Sequence, residues 1–516
     1  MQKSNKSVLE IILKVIAISI AISIFLKAII DIDTNYDVGW YHLPWAARIW
    51  GIVPESAFIS ENLIEHRYDG FPLLAHFFQG LLWKLTGRIQ ATNLVGYLSL
   101  IIYFCFLRSY FRVPLYLSII AIFTIPAVLT HATTSFVDLL GNIGVAIVMM
   151  MTYSFFRRLA SPVRRAQSQL PSQSELLITF LGAAAAVNTK PQLQPLVFLL
   201  YWVLGIRLVW LYFKYTNSGK RKLWLTIPIG AIASILIFAT PIKNVALYGN
   251  PFYPIKIEVA GIVLNHQLTP ETYNEGNRPQ KWLRSILEIN TPEWSADQWN
   301  ENNPQYLDRA GGFFGAYVVF NLLLLVGLTI KEQLQNRTSP QNKSRDATTA
   351  LATILLVSLV PANFPQSHEL RYFMFWMITL VSLNLLLISS QQWNNKWLQP
   401  KYLGLICLVF LAIVGVKIDN YYLRPVFNPL APYLEDTVKT ELLAQTIPNE
   451  RTCMISRHAI PDPDAVPFAS IPNAFYYSSY FHPEINYDYS IKAAVDPRDC
   501  DDLTVIPPNV EEFIEP

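Results

Sequence analysis

The sequence predicts an all-α polytopic membrane protein with about eleven transmembrane helices. Of its 516 residues, 52% are hydrophobic and only 15% are charged, and the mean hydropathy is +0.29. Apolar stretches close to 20 residues long, the length that crosses the hydrocarbon, recur along the chain. Lys and Arg residues are concentrated in alternate connections between these stretches, as they are in cytoplasmic loops. The formal net charge of +3 indicates no nucleic-acid partner.

The apolar stretches give the predicted helices in order. The first follows Lys3 and Lys6, is too long for the apolar region of a signal peptide, and is followed by no small-residue cleavage site. We therefore expect it to remain as a permanent helix. The predicted spans are residues 8–30, 92–107, 114–131, 135–156, 174–190, 191–213, 223–244, 311–330, 348–364, 371–390 and 401–418.

The basic connections predict the orientation. Because they all fall on the side of the N-terminus, that side is expected to be cytoplasmic, and eleven spans place the C-terminal tail outside. The tail after residue 418 is acidic on balance, which is compatible with translocation. The basic residues are Arg108, Arg112, Arg157, Arg158, Arg164, Arg165, Lys214, Lys220, Arg221, Lys222, Lys331, Arg337, Lys343, Arg345, Lys396 and Lys401.

Two domains follow from this topology. Residues 1–418 form the predicted transmembrane domain, with external loops at 31–91 and 245–310, and residues 419–516 form an external region. This region is rich in Pro, Tyr and Asp, and we expect a small α+β structure packed over the spans.

The four cysteines divide between the two domains. Cys105 and Cys407 fall inside predicted spans, where buried thiols are usually inert. Cys453 and Cys500 lie in the external tail, where an oxidising compartment would allow a disulfide, although the sequence leaves the pairing open.

Residues with chemical potential collect at the predicted external face. Ionisable groups near hydrocarbon are costly unless they serve a site or a pathway. A cluster on one side, contributed by several spans, is more typical of an active site that opens to one compartment than of a pore. Its members are Asp31, Asp33, Asp37, His42, Glu65, His66, Asp138, Lys190, His368, Glu369 and Arg371.

The first external loop begins with three carboxylates in seven residues and continues into Tyr41-His42-Leu43-Pro44. Such a group next to interfacial aromatic residues is either a solvated helix end or part of a site. An amphipathic segment follows at 45–51, and a second apolar segment at 71–87 is too short to span. We expect both segments to form helices that lie along the membrane interface.

These features resemble the GT-C fold glycosyltransferases. An acid after the first helix, Tyr-His-Leu-Pro and two juxtamembrane helices match that family, and later motifs resemble its protein-mannosyltransferase and aminoarabinose-transferase branch. In that branch the first-loop acid is often an Asp-Glu pair, whereas Val38 follows Asp37 here. The later motifs are Ser-Phe-Val-Asp at 135–138, Asn-Thr-Lys at 188–190, Lys-Asn…Gly-Asn-Pro-Phe-Tyr-Pro at 243–254 and Glu-Leu-Arg-Tyr at 369–372.

The resemblance implies sugar transfer from a polyprenyl-phosphate carrier to an acceptor at the external face, with inversion. A carboxylate would take the acceptor proton. We expect Asp37 in this role, since it matches the family position, with Asp33 as the second candidate and Asp31 behind it. Arg371 and Lys190 are expected to bind the donor phosphate together with His368, because cations stabilise the departing anion.

The remaining candidate residues are expected to bind substrate, and each has a structural alternative. Tyr41 and His42 could contact the sugar or simply lie in the interface, and Glu65 with His66 could be loop scaffold. Asp138 could serve the site, pair with Lys190 or cap a helix. Likewise, Lys190 could extend to the interface as a membrane anchor, and Glu369 could neutralise Arg371.

The sequence predicts no cofactor; no residue spacing indicates a metal site, and the sequence leaves dependence on a divalent metal open. The expected partners are a polyprenyl-phosphate-linked sugar, membrane lipids and a cell-envelope glycan, lipid or protein acceptor, and the expected location is a bacterial inner membrane with the site facing the periplasm. A transporter or flippase for lipid-linked sugars is the main alternative; the spans lack the midplane charges and internal repeats typical of transporters. A polysaccharide polymerase or ligase usually has its large external loop late in the chain. This reading is disfavoured because the largest external loops predicted here come early and after the seventh span.

Overall fold

The protein is almost entirely helical in the computed structural model. The structure describes residues 8–35, 37–53, 63–160, 170–215, 219–259, 261–269, 277–289, 311–338, 344–390, 399–438, 440–444, 452–454, 476, 479–484 and 504–506.

Nineteen α-helices occur within these ranges. Short 3-10 segments precede three of them, at Ile89–Asn93, Pro191–Leu193 and Leu370–Phe373, and a π-helical turn at Val38–His42 leads into the second. The α-helices are Val8–Ile30 (α1), Leu43–Ile49 (α2), Leu63–Gly70 (α3), Leu74–Thr86 (α4), Leu94–Phe111 (α5), Leu115–Phe123 (α6), Pro126–His131 (α7), Asp138–Ala160 (α8), Gln173–Val187 (α9), Gln194–Tyr215 (α10), Gly219–Ile237 (α11), Ala239–Tyr248 (α12), Arg278–Leu287 (α13), Gly315–Thr338 (α14), Asp346–Asn363 (α15), Met374–Ser390 (α16), Pro400–Lys417 (α17), Leu430–Thr437 (α18) and Thr440–Ala444 (α19).

Eight helical segments in the described chain are long and apolar enough to cross a membrane, which makes this a membrane-embedded helical protein. A ninth is added if the pair made of 228–237 and α12, bent by 72°, is one span. The eight are Val8–Ile30, Ile89–Phe111, Asp138–Arg157, Pro191–Leu211, Gly315–Thr338, Asp346–Asn363, Leu370–Ser390 and Pro400–Lys417.

Two of the eleven predicted spans correspond to shorter helices. The predicted span 114–131 is divided between α6 and α7, because the chain is extended at Ile125 and Pro126 starts the second helix. The predicted span 174–190 is the 15-residue helix α9, which ends before Asn188. The count of eleven therefore stays a prediction, while the helical membrane architecture is confirmed.

Helices α8 and α16 lie at the centre of the bundle. In their most apolar windows, 83% and 89% of the residues are buried by protein, against 17% in α1, whose outward surface is left for lipid. Helix α9 packs closely on α8 because glycines face each other: a Cβ added to Gly182 would lie 2.9 Å from the Gly144 carbonyl oxygen. Small residues of this kind let helix backbones approach within a membrane. The beginning of α8 and the chain after α9 are thereby brought side by side.

The first loop folds as expected into helices that pack on the bundle. The predicted segments 45–51 and 71–87 correspond to helices α2 and α4. The two helices pack closely, since a Cβ on Gly80 would collide with the Ala46 carbonyl. Trp45 and Trp83 are fully buried between these helices and neighbouring segments, whereas Phe77 and Phe78 are each 40% exposed. This two-sided character fits a helix that lies in the membrane interface.

The tail starts by binding back to the end of α1. The carboxylate of Asp31 accepts hydrogen bonds from the backbone N–H groups of Val426 (2.8 Å) and Asn428 (3.1 Å) and pairs with Lys27 at 3.1 Å. The Asn428 carbonyl in turn accepts from the Ile32 N–H at 2.8 Å. These bonds fix the beginning of the tail beside the first loop.

Short strands complete the described structure. Glu258–Val259 (β1) and Ile262–Val263 (β2) pair antiparallel around Gly261, whose φ of +82° favours glycine. In the tail, Thr452–Met454 (β3) and Thr504–Ile506 (β4) pair in parallel. The small α+β region expected in the tail stays a prediction, and a disulfide to Cys500 lies outside the described residues.

Candidate active site

The first loop presents Asp37 to Arg371 across 334 residues of sequence. Asp37 precedes the π-helical turn Val38–His42, and its Oδ2 lies 3.2 Å from Nη1 of Arg371. The two side chains are 23% and 20% exposed, respectively. The pair is therefore partly accessible at the surface of the site, although it lies against buried residues.

Arg371 is held by its own backbone. It lies in the 3-10 turn Leu370–Phe373 before α16, and the Asn142 amide of α8 donates to its carbonyl at 3.0 Å. The same amide accepts the Phe375 N–H at 2.9 Å. Glu369 adds a second carboxylate, 3.7 Å from Nε of Arg371. Asn142 thus locks the start of α16 to α8 and fixes where the guanidinium is presented.

A second ion pair lies next to the first. Asp138 opens α8, is completely buried, and places Oδ1 3.0 Å from Nζ of Lys190. Lys190 follows α9 and precedes Pro191, so the close α8–α9 packing aligns the two residues. Both cations lie close to the Tyr372 ring, whose centroid is 4.7 Å from Nζ of Lys190 and 5.1 Å from Cζ of Arg371. Cations over an aromatic face are stabilised electrostatically.

We call Asp37, Asp138, Lys190, Glu369, Arg371 and Tyr372 the charged cluster. Its members come from the first loop, the start of α8, the chain after α9 and the turn before α16. Five of them were candidate residues from the sequence. Five of the eleven polar residues predicted to share one face thus meet in this cluster.

Beside the charged cluster lies a pair of buried imidazoles. Nδ1 of His42 is 2.9 Å from Nε2 of His76, and the two rings are stacked. Burial lowers the pKa of His42 well below its ordinary value and that of His76 to about 3. Burial and the Asp37 carboxylate raise the pKa of the adjacent Tyr41 hydroxyl. Both imidazoles are consequently neutral at pH 7.

The neutral histidine pair predicts acid sensitivity. Since the unfolded chain binds protons on these imidazoles near pH 6.5 and the folded chain does not, stability is full above that pH and falls as pH drops toward 3. For His76 alone the loss is about 2 kcal/mol at pH 5. We expect the thermal midpoint to fall between pH 7.5 and 5.0, and to fall less in His76→Gln.

The matched control for this prediction is His266→Gln, since His266 bonds only to its local turn through the Leu264 carbonyl among the contacts described. It should retain the pH dependence of the parent. An equal fall in all three proteins would show that the buried pair does not titrate on unfolding.

His131 contacts the other end of the charged cluster. Its Nδ1 lies 2.8 Å from the Ala127 carbonyl oxygen, which can only accept, so this nitrogen carries a proton. Its Nε2 lies 3.8 Å from Oδ2 of Asp138. His131, Asp138 and Lys190 therefore form a buried polar chain behind the exposed Asp37–Arg371 pair.

Asp33 and Asp31 occupy structural positions. Asp33 is buried and accepts the backbone N–H groups of Ser135 (2.6 Å) and Asn35 (3.0 Å), which joins the first loop to the chain before α8. Burial raises the pKa of Asp33 to about 6, against the effect of these donors. Asp31 serves the tail, as described above. Of the three first-loop acids, Asp37 is the one that the structure places in the charged cluster.

The other predicted binding residues have partners of their own. His368 lies at the edge of the cluster, with Nε2 3.6 Å from Oε1 of Glu369, and burial lowers its pKa. Glu65 pairs with Arg48 at 2.6 Å. The His66 ring lies 3.0 Å from the Tyr253 hydroxyl, through Nδ1. Glu65 and His66 thus link the first loop to its surroundings, and no contact of theirs to the charged cluster is described.

Sequence reasoning missed four contributors. His76 and His131 lie in apolar stretches with no motif to single them out, and Tyr372 entered the sequence analysis only as the last residue of the Glu-Leu-Arg-Tyr motif. Asn142 had a usable signal: it lies four residues after Asp138, one turn along the same helix face, in an otherwise apolar span.

A further buried charge group lies elsewhere in the bundle and is structural. Glu332 of α14 accepts the N–H groups of Ala347 (3.0 Å) and Thr348 (2.9 Å) at the start of α15, while Arg157 pairs with Asp346 at 2.7 Å. These contacts satisfy the free N–H groups of a helix end. Among the described residues, no group of three or more His, Cys, Asp or Glu is placed to hold a metal ion.

Comparison with known proteins gives this chain no relative. No protein-family model, no curated protein and no solved structure matches it. The charged cluster must therefore be interpreted from its own geometry.

Proposed function

We propose that this protein is an integral membrane glycosyltransferase that moves a sugar from a polyprenyl-phosphate carrier to an acceptor. The observation that carries the proposal is the charged cluster: an accessible carboxylate, Asp37, lies directly against an accessible guanidinium, Arg371, and Lys190 lies close to the same Tyr372 ring. Sugar transfer from a lipid phosphate requires these two functions side by side.

The proposed reaction is a direct displacement. The acceptor oxygen attacks the anomeric carbon and forms the new glycosidic bond, while the bond from that carbon to the phosphate oxygen breaks. The bonding electrons leave with the phosphate, and the acceptor proton passes to the Asp37 carboxylate. Attack from the face opposite the phosphate inverts the anomeric centre.

The cations have the complementary role. Arg371 can bind a phosphate through two parallel N–H groups, and Lys190 adds a compact positive charge. Both are oriented in advance, Arg371 by Asn142 and Lys190 by Asp138. Donors fixed before the reaction stabilise developing charge without further reorganisation.

The membrane-embedded fold supplies the place for the carrier lipid. Helix α4 carries the exposed side chains of Phe77 and Phe78 near the buried Trp45 and Trp83. Helix α12 exposes Ile242, Val245 and Leu247. These apolar surfaces of α4 and α12 would bring a polyprenyl chain alongside the charged cluster. The resemblance to GT-C glycosyltransferases supports the same assignment of Asp37, Arg371 and Lys190.

The direct test uses purified protein in lipid nanodiscs with a panel of synthetic polyprenyl-phosphate sugars. Release of polyprenyl phosphate, with the acceptor supplied as a membrane or envelope-glycan extract, is the expected result for at least one sugar. If no sugar is released by the parent while the lipid-linked sugar crosses the bilayer of a proteoliposome, the transporter alternative replaces the proposal. The 72° bend between residues 228–237 and α12 is the observation that favours this alternative.

Topology provides a separate prediction, since the proposal places the cluster on the external face. In a variant without native cysteines, Thr86→Cys and Gln267→Cys should react with an impermeant maleimide on intact cells. Gln173→Cys and Arg337→Cys should react only after permeabilisation, because they lie at the opposite helix ends. External labelling of Gln173→Cys would contradict the assigned side.

A further inference from the structure

We infer that the Asp37–Arg371 ion pair is a resting state that the donor phosphate opens. The phosphate takes the place of the Asp37 carboxylate on the guanidinium, and the released carboxylate then accepts the acceptor proton. This inference rests on the proposed function and adds to it an order of binding, with the phosphate donor before the acceptor.

The two ion pairs of the cluster differ in accessibility. Asp37 and Arg371 are each about one-fifth exposed, whereas Asp138 is fully buried and Lys190 is 12% exposed. An incoming phosphate therefore meets the Asp37–Arg371 pair first. Exposed ion pairs have little net stability and are readily exchanged, while a buried pair is costly to break.

The geometry also indicates which partner moves. Arg371 is fixed through its backbone by Asn142, and its guanidinium lies over the rings of Tyr372 and Phe136. Asp37 lies at the beginning of the π-helical turn and makes no capping hydrogen bond to it with its side chain. A rotation of the Asp37 side chain is thus the smaller change.

Charge makes the exchange necessary. The cluster contains two cations, Arg371 and Lys190, and three carboxylates, Asp37, Glu369 and Asp138. Carboxylates therefore outnumber cations among these five residues, which disfavours the approach of a phosphate to the resting cluster. The donor phosphate and the Asp37 carboxylate compete for the same N–H groups of Arg371. Binding of the donor must therefore displace the carboxylate.

The exchange also prepares the base. In the resting state one oxygen of the Asp37 carboxylate lies 3.2 Å from the guanidinium. Once the phosphate occupies Arg371, the Asp37 carboxylate is released to meet the acceptor. The acceptor is then activated in the presence of the group that it attacks.

The test measures binding of polyprenyl monophosphate to the full chain in nanodiscs, with polyprenol and inorganic phosphate as reference ligands. Asp37→Asn removes the competing charge and should bind polyprenyl monophosphate about tenfold more tightly than the parent, the scale of one unit charge at about 4 Å. Asp69→Asn, an exposed acid of the same loop, is the matched control and should bind like the parent. The double variant Asp37→Asn with Arg371→Ala should lose the gain.

Each outcome has a distinct meaning. If the parent binds polyprenyl monophosphate and Asp37→Asn binds it no more tightly, the exchange is overturned. The glycosyltransferase proposal is unaffected by this outcome. A gain that survives Arg371→Ala overturns the assignment of the phosphate to Arg371. Binding of polyprenol and polyprenyl monophosphate with equal affinity by the parent and every variant overturns the proposed function itself.

Discussion

Asp37→Asn is expected to reduce the transfer rate by about 10²-fold or more, the usual contribution of a general base. The substitution keeps the shape of the side chain and removes its ability to take a proton. Folding should change little, because the Asp37 side chain is partly exposed and makes no capping bond to the turn that it precedes. Release of polyprenyl phosphate in nanodiscs and the thermal midpoint are the two measurements.

Asp33→Asn is the informative companion. Asp33 accepts two backbone N–H groups in a buried position, so this variant should lower the thermal midpoint, with activity falling in proportion to folded protein. A folded Asp33→Asn protein without activity, together with an active Asp37→Asn protein, would transfer the role of base to Asp33. Full activity in both would leave the enzyme proposal without a base.

Arg371 is expected to show the second large effect. Arg371→Ala removes the phosphate fork and should reduce transfer by about 10²-fold, the lower end for loss of a charge-stabilising donor. Arg371→Lys keeps the charge but not the planar fork and should give an intermediate loss. Donor titrations should show the defect in both turnover and apparent donor affinity.

Arg278→Ala controls for the loss of an arginine in the loop predicted to be external, since Arg278 is partly exposed and donates to the Asn363 carbonyl at 3.2 Å. It should transfer sugar at the parent rate. Activity of Arg371→Ala equal to that of this control would reduce Arg371 to a structural ion-pair partner of Asp37 and Glu369.

The sequence predicted the long apolar helices and the two short helices of the first loop because each depends on local periodicity and composition. It could not separate Asp33 from Asp37. The two acids lie four residues apart in the same loop, and their difference arises from partners more than 100 residues away, the Ser135 N–H and the Arg371 guanidinium.

Trp282 shows the same limit from another direction. In the sequence it shares the predicted external loop 245–310 with Trp294 and Trp299, and tryptophans in such loops are typical of an interfacial belt. In the structure it is 2% exposed and packs against Phe313, Phe373 and Trp376. Burial of an aromatic residue in a loop helix depends on which spans it covers, and hydropathy does not contain that information.

The bonds from Asp31 to Val426 and Asn428 have a consequence for biosynthesis. Asp31 leaves the ribosome early, but its backbone partners are synthesised 395 and 397 residues later. During that interval its carboxylate has only the Lys27 ammonium among these partners, and the end of the first helix lacks its two bonds to the tail. Completion of the loop that carries Asp37 therefore belongs to the final stage of membrane insertion. Nascent chains released before Val426 should reach the bilayer with this loop still open to proteolysis.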